Sequence, residues 1–148
     1  MRGELMAHQR SIKPGATRGT VFKVVARARL QDAKVLLGQK RYGGAAYLAG
    51  YAVECTLKWA ITQQSNPRGD PYLPAEFETH DLDVLLEASG LFAAIRRDKI
   101  VWASFSTISE AWGPDLRYSS KEPAQADAEE LYQEAEELYE WLIEKVAP

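Results

Sequence analysis

Two side chains that could together form part of a phosphate-binding site lie one helical turn apart in this chain. Glu54 and Lys58 interrupt residues 43–61, a run that is otherwise almost entirely apolar and small. Residues four apart share a helix face, and an acid on the N-terminal side of a base is the better order for pairing. Burying such a pair costs desolvation, and two apolar residues would often stabilise a fold equally well. The pair therefore needs an explanation beyond filling a core.

Arg117 and Tyr118 extend this set toward ligand binding. A buried carboxylate that held both an Arg and a Lys would preorganise two cations for a phosphate. We therefore predict that Lys58, Arg117 and Tyr118 bind ligand, that Glu54 contacts Arg117 as its second cation, and that Tyr118 stacks on a base. The alternatives are that Glu54 only neutralises charge and fixes helix register, and that Tyr118 is buried with its hydroxyl bonded.

His80 and Arg117 are the two candidates for catalysis. Histidine as a residue type suits general acid or base chemistry near neutral pH. His80 lies in a Thr-His-Asp-Leu sequence at a predicted helix start, where a histidine often serves only as a hydrogen-bonding or capping residue. No partner nucleophile or second base is identifiable from the sequence, so catalysis remains one of two interpretations.

Composition restricts the class of protein that carries these residues. The chain has 148 residues, 46% of them hydrophobic and 26% charged, as expected of one globular domain. Cys55 is the single cysteine and the chain has two histidines, so we expect no disulfide, metal or cofactor and a cytoplasmic location. The charges at Glu54 and Lys58 interrupt the best candidate for a membrane span, so no membrane association is expected.

Charge is distributed unevenly along the chain. Residues 1–47 hold ten Lys or Arg and two acids, whereas residues 122–148 hold nine acids and one Lys. The basic segment could meet RNA or nucleotide phosphates. Alternatively, the first and last helices are neighbours whose flanks complement each other, because charge runs on helices usually form solvated faces.

The periodicity of apolar residues predicts helices and no strands. Pro14, Gly15 and Gly19 mark residues 1–19 as a flexible basic arm, and a domain of residues 20–148 follows. Thr20 and Thr79 are candidate N-caps. We predict an all-α, antiparallel up-and-down bundle of four long helices and one short one. The long helices are predicted at 21–37, 42–64, 91–112 and 124–146, with the short one between 79 and 90.

Residues 42–58 resemble the second helix of HEPN domains, small helical bundles named for higher eukaryotes, prokaryotes and nucleotide binding. The string reads Y-G-G-A-A-Y-L-A-G-Y-A-V-E-C-T-L-K. Other matching pieces follow the family's order: A-R-x-R-L-x-D-A in the first helix, T-H-D-L, W-x-x-x-x-R-Y from Trp112 to Tyr118, and an acidic last helix. On this resemblance we assign Glu54, Asp81 and Trp112 to a structural network.

The resemblance implies a homodimer and a role in RNA cleavage, toxin–antitoxin pairs or phage defence, often beside a small nucleotidyltransferase. The family's ribonucleases use an Arg-x4-6-His motif near the start of the last helix. Here no histidine stands five to seven positions after Arg117, and the spacing recurs only from Arg2 to His8, in the predicted arm. An RNA- or nucleotide-binding component of a toxin–antitoxin or defence module is thus the first hypothesis. A non-catalytic subunit that partners a nucleotidyltransferase is the second, and a metal-independent ribonuclease with a rearranged site is the third.

Overall fold

The computed structural model describes residues 16–146, which fold as a helical bundle. No strand occurs within that range, which confirms the predicted all-α class. Residues 1–15 of the predicted arm, including Arg2 and His8, lie outside the described residues. The six α-helices of the described range are α1 Gly19–Gly38, α2 Tyr42–Ser65, α3 Leu82–Ala88, α4 Phe92–Arg97, α5 Lys99–Ala111 and α6 Gln125–Val146. Two 3-10 turns accompany them, Ala75–Phe77 and Pro114–Tyr118.

The segment predicted as one helix at 91–112 is two helices, α4 and α5. Asp98 separates them in an extended backbone conformation, with φ −97° and ψ 102°. Its carboxylate accepts a hydrogen bond of 3.2 Å from the Val101 N–H, so Asp98 caps the start of α5. The apolar spacing is continuous across this break, and only the cap signals it.

A tight turn joins α1 to α2, and small residues let α2 pack closely against its neighbours. Lys40 takes the left-handed conformation, φ 60°, in the turn, and the Arg41 N–H donates to the Leu36 carbonyl at 2.8 Å. A methyl group at Gly50 would collide with the indole of Trp112, so this position requires glycine. Fully buried alanines let the backbones of both helices approach: Ala26, Ala33, Ala45, Ala49 and Ala52.

Apolar residues at a seven-residue repeat form the inner side of α6. All five repeat positions are buried: Ala128, Leu131, Ala135, Leu138 and Leu142. Each buried leucine contributes roughly 1.5–3 kcal/mol to folding. On the outer side, α6 lies beside α1, and Arg27 and Lys34 line a groove with Glu136 and Glu140. The first and last helices are therefore neighbours with complementary flanks, as the second interpretation of the charge pattern proposed.

The connection between α2 and α3 is tied to the start of α1. The Asp70 carboxylate accepts the Thr20 N–H at 2.9 Å and its hydroxyl at 2.7 Å, and these bonds lower the pKa of Asp70. The Leu73 N–H donates to the Thr17 carbonyl at 3.1 Å. Thr20 was predicted as the N-cap of α1, but the helix begins at Gly19, and Asp70 supplies the capping carboxylate from across the fold.

Candidate functional site

Glu54 is the centre of a polar cluster that α2 carries into the core. Its side chain is 1% exposed. One carboxylate oxygen, Oε2, lies 3.0 Å from Lys58 Nζ, which confirms the pairing expected from the spacing. The other, Oε1, lies 2.8 Å from His80 Nδ1. We call Glu54, Lys58 and His80 the Glu54 cluster. Both oxygens of the buried acid are thus bonded, as burial of a charge requires.

His80 is the part of the Glu54 cluster that faces solvent. Its side chain is 50% exposed, against 10% for Lys58. Because an ionised carboxylate only accepts hydrogen bonds, we assign a hydrogen to His80 Nδ1. The bond to Glu54 therefore fixes the ring orientation and leaves Nε2 as the nitrogen able to exchange a proton or bind a ligand.

Residues on either side of His80 hold the loop in place. The Asp81 carboxylate accepts hydrogen bonds from the Asp83 and Val84 N–H groups at 3.0 and 3.2 Å, so Asp81 is the N-cap of α3. Thr79 was predicted for this role, but its hydroxyl accepts the Asp81 N–H instead, at 3.2 Å. The cap places His80 directly before α3 and opposite Glu54.

Lys58 presents little of its charge to solvent. Its Nζ lies 5.9 Å from the centre of the Phe22 ring, and one of its hydrogens is directed to Glu54. A second aromatic ring, Trp59, is buried beside it and has Lys23 Nζ 4.8 Å from its centre. A ligand would therefore have to approach over the exposed His80 ring to reach the small exposed part of Lys58.

Arg117 does not join the Glu54 cluster, which corrects the expected Glu54–Arg117 contact. Arg117 is exposed on the 3-10 turn after α5, where its Nε donates to the Pro114 carbonyl at 2.9 Å. Its guanidinium lies 5.5 Å from the centre of the Tyr118 ring, and Tyr118 is 82% exposed. The proline-initiated turn satisfies the guanidinium locally, and His80 takes the place predicted for Arg117.

Trp112 is a core residue linked to α2. Its indole Nε1 donates to the Tyr47 carbonyl at 2.9 Å, and the residue is 6% exposed. Its ring covers Gly50 and lies 6.2 Å from the Tyr47 ring centre. Trp112 thus holds the end of α5 against α2 at Gly50, which is one helical turn before Glu54.

Tyr51 and Cys55 border the Glu54 cluster and were not chosen as site residues from the sequence. Burial, followed by the charge of Glu54, raises the pKa of the Cys55 thiol to about 12. Burial, followed by Cys55, raises the pKa of the Tyr51 hydroxyl above its usual range. Both groups therefore stay protonated at neutral pH, and Cys55 is not a nucleophile. Their spacing on α2 relative to Glu54 is the signal that could have identified them.

A groove of about 570 Å³ lies between the starts of α2 and α6, the end of α5 and the turn that follows it. Glu134 lines it, and its Oε2 is shielded from solvent without a hydrogen-bond partner, although the side chain as a whole is half-buried. Burial, with Glu130 and Glu137 nearby, raises the pKa of Glu134 to about 7. Sequence reasoning missed this residue because α6 is rich in glutamates.

Within residues 16–146, no three His, Cys, Asp or Glu side chains are grouped as metal ligands would be. Over the same range, no helix has the length and apolar character needed to cross a membrane.

A family model described as "HEPN domain" matches residues 23–146, which is most of the chain. No curated protein and no solved structure matches the chain.

Proposed function

Because the chain belongs to the HEPN domain family, we propose that it binds RNA or nucleotide phosphates as a cytoplasmic, homodimeric component of a toxin–antitoxin or defence module. The observation that carries the proposal is the Glu54 cluster, in which one buried carboxylate orients an exposed imidazole and a lysine. The function of the module is an inference from family membership. The binding role rests on the geometry of the cluster.

The Glu54 cluster has the charge and the donors that a phosphate needs. With His80 protonated, one carboxylate stands against two cations, and the cluster carries a net positive charge. Glu54 takes one hydrogen from each cation, which leaves His80 Nε2 and the remaining Lys58 hydrogens for a phosphate oxygen. Such charge-assisted hydrogen bonds are roughly twice as strong as neutral ones. Preorganisation by Glu54 reduces the entropy that a ligand must overcome.

Arg117 and Tyr118 enter the proposal as a separate contact. Both are exposed, the two side chains lie side by side, and neither is engaged by a carboxylate among the described residues. A guanidinium beside an aromatic ring suits a phosphate and its adjoining base. We propose that they touch another part of the same RNA, rather than the phosphate bound by the Glu54 cluster.

The test is binding of a fluorescently labelled single-stranded RNA to the purified protein without added metal, measured by anisotropy at two salt concentrations. We expect salt-dependent binding. His80→Gln and Lys58→Met should each weaken it by roughly ten-fold, as for loss of one charge-assisted hydrogen bond. Arg68→Gln, which removes one exposed charge in the α2–α3 connection, is the matched control and should bind as wild type does.

The same samples test the ribonuclease alternative. Cleavage of the RNA by wild-type protein in a chelator, lost in His80→Ala and in Arg117→Ala, would show a metal-independent ribonuclease with a rearranged site. Intact RNA with unchanged binding would exclude that activity for the substrate used. Absence of any RNA or nucleotide binding by folded wild-type protein would refute the proposed function.

A second candidate function is a non-catalytic subunit that docks on a nucleotidyltransferase. The outer face of α6 favours it, because five of its acids are exposed: Glu129, Glu130, Glu137, Glu140 and Glu144. Such a face complements a basic partner surface and would repel RNA. Stable association with a co-expressed nucleotidyltransferase, lost when three of these acids become glutamine, combined with no RNA binding, would favour this function over the first.

A further inference from the structure

A cleft of about 590 Å³ opens where the break between α4 and α5 meets the last turns of α6. We call it the Trp141 cleft. Its wall includes Arg97 and Lys99, on either side of the break, together with Trp141 and Lys145 from α6. A volume of this size lies within the range of small-molecule sites. The break at Asp98, which sequence periodicity did not predict, creates this cleft.

The cations of the Trp141 cleft are not neutralised. Among the described residues, no carboxylate lies within ion-pair distance of Arg97, Lys99 or Lys145. Asp98 also lines the cleft, but its carboxylate is engaged as the cap of α5 through the Val101 N–H. The cleft thus holds three cations against the single carboxylate of Asp98, in a chain of net charge −3. Lys145 is also the only base among residues 122–148.

An aromatic surface lies among these charges. Trp141 is half-buried, so its indole is fixed by the core and still reaches the cleft. The Lys145 Nζ lies 5.6 Å from the centre of that ring, on a flexible stem that can turn toward a phosphate. A fixed indole with mobile cations around it is the combination with which proteins hold single-stranded nucleic acid: a base stacks on the ring while the charges meet the backbone.

A second group of a cation and aromatic rings includes residues of α4, outside the lining of the cleft. The Arg96 guanidinium lies 4.9 Å from the ring centre of Trp102 and 5.6 Å from that of Phe92, which is 44% exposed. Ile100, at the rim of the cleft, is 73% exposed. Cationic side chains and aromatic rings therefore lie together at two places on these helices. Two such places suit a strand of several nucleotides better than a free nucleotide.

We propose that the Trp141 cleft binds one nucleotide unit of single-stranded RNA, with its base on Trp141 and its phosphate on Arg97, Lys99 and Lys145. The proposal rests on the proposed function only for the class of ligand. The site shares no residue with the Glu54 cluster or with Arg117 and Tyr118. An anionic peptide without aromatic residues would meet the same charges, but it has no aromatic plane to match the indole.

The experiment compares variants at the two sites with one labelled single-stranded RNA of about ten nucleotides. Trp141→Leu should weaken binding roughly ten-fold, as for loss of one stacked base, and Trp141→Phe should retain most of it. Lys99→Gln combined with Lys145→Gln should weaken binding. It should also reduce the slope of the logarithm of the binding constant against the logarithm of salt concentration, by the amount expected for about two lost phosphate contacts. Lys40→Gln combined with Arg68→Gln removes the same charge elsewhere and should leave binding unchanged.

Four further probes identify the ligand. Duplex RNA should bind more weakly than the single strand, because its bases are already stacked. A free mononucleotide should compete only at much higher concentration, and inorganic phosphate should compete less still. A poly-glutamate peptide that displaced the RNA, and whose own binding did not depend on Trp141, would overturn the proposal in favour of a peptide surface.

Failure of this inference differs from failure of the proposed function. If folded wild-type protein binds no RNA, both fail. If His80→Gln weakens binding while Trp141→Leu and the cleft lysine variant bind as wild type, the cleft proposal is overturned and the function stands. If only the cleft variants weaken binding, the cleft is supported and the Glu54 cluster is not the phosphate site. Circular dichroism and thermal unfolding confirm that each variant is folded.

Discussion

The Glu54 cluster and the Trp141 cleft both place charged side chains against apolar surface. They differ in whether those charges are paired with a group of opposite charge. In the cluster, a carboxylate that is 1% exposed is bonded through one oxygen to the Lys58 ammonium and through the other to the His80 ring. In the cleft, Arg97, Lys99 and Lys145 remain without an acidic partner in the described part of the chain. Buried charge must be paired for the fold to be stable, whereas exposed charge such as that of the cleft cations can stay free for a ligand. Substitution of the buried Glu54 should therefore affect mainly stability, whereas substitution of the cleft cations should affect mainly binding.

The largest effect is expected at Glu54. Replacing Glu54 by Leu leaves Lys58 buried without a carboxylate, and we expect a loss of about 3 kcal/mol or more in the free energy of unfolding. Urea unfolding at neutral pH measures it. The double variant Glu54→Leu with Lys58→Met removes both charges and should regain most of that loss. Equal instability of the single and double variants would show that the charge pair is not the cause.

A smaller, pH-dependent effect is expected at Glu134. Its pKa is raised from 4.5 to about 7, so the folded state binds this proton more tightly than the unfolded state does. The contribution of Glu134 to the free energy of unfolding therefore falls as the pH rises from about 4.5 to about 7. Above that range Glu134 is ionised in both states, and the folded state bears the whole free-energy cost of its ionised carboxylate.

Glu134→Gln removes this cost and tests it. At about pH 8 the variant should be more stable than wild type, by less than about 1 kcal/mol because the half-exposed carboxylate is screened by solvent. At about pH 4 it should show no advantage. Thermal unfolding at both pH values measures the difference, with the exposed Glu144→Gln as control. An equal gain at both pH values would contradict the assignment to the Glu134 proton.

The smallest change in stability is expected at the Trp141 cleft. Lys99→Gln combined with Lys145→Gln should alter the free energy of unfolding by less than about 1 kcal/mol. Neither charge is paired with a carboxylate among the described residues, and Lys145 loses only a helix-end interaction and its exposed contact with the Trp141 ring. RNA binding by the same variant should nevertheless fall. A large destabilisation, comparable to that of Glu54→Leu, would remove the contrast between the two regions.

Much of the fold could be predicted from the sequence because the apolar periodicity of the long helices is strong. The apolar and small residues of 43–61 marked the helix that became the buried α2, and the predicted ranges 21–37, 42–64 and 124–146 agree closely with α1, α2 and α6. The break at Asp98 was missed, because the apolar spacing continues through it and a single cap determines it. The capping of α1 by Asp70 was missed because it joins residues 50 positions apart.

The candidate site was predicted in part. The Glu54–Lys58 pair follows from helical spacing, which is a local property. The third member was predicted to be Arg117, but a 3-10 turn engages that side chain and the cap of α3 presents His80 instead. Glu134 was missed because its shielded oxygen depends on how the start of α6 packs against other segments.

The sequence by itself determined that this protein is a HEPN-type helical bundle with a buried Glu–Lys pair, because both follow from spacing along one helix and from the order of local motifs. Only the tertiary structure decided which side chain completes the Glu54 cluster and that the cations at the α4–α5 break meet Trp141. These contacts join distant parts of the chain, and their distances are determined by packing and capping, which leave no periodic pattern in the sequence.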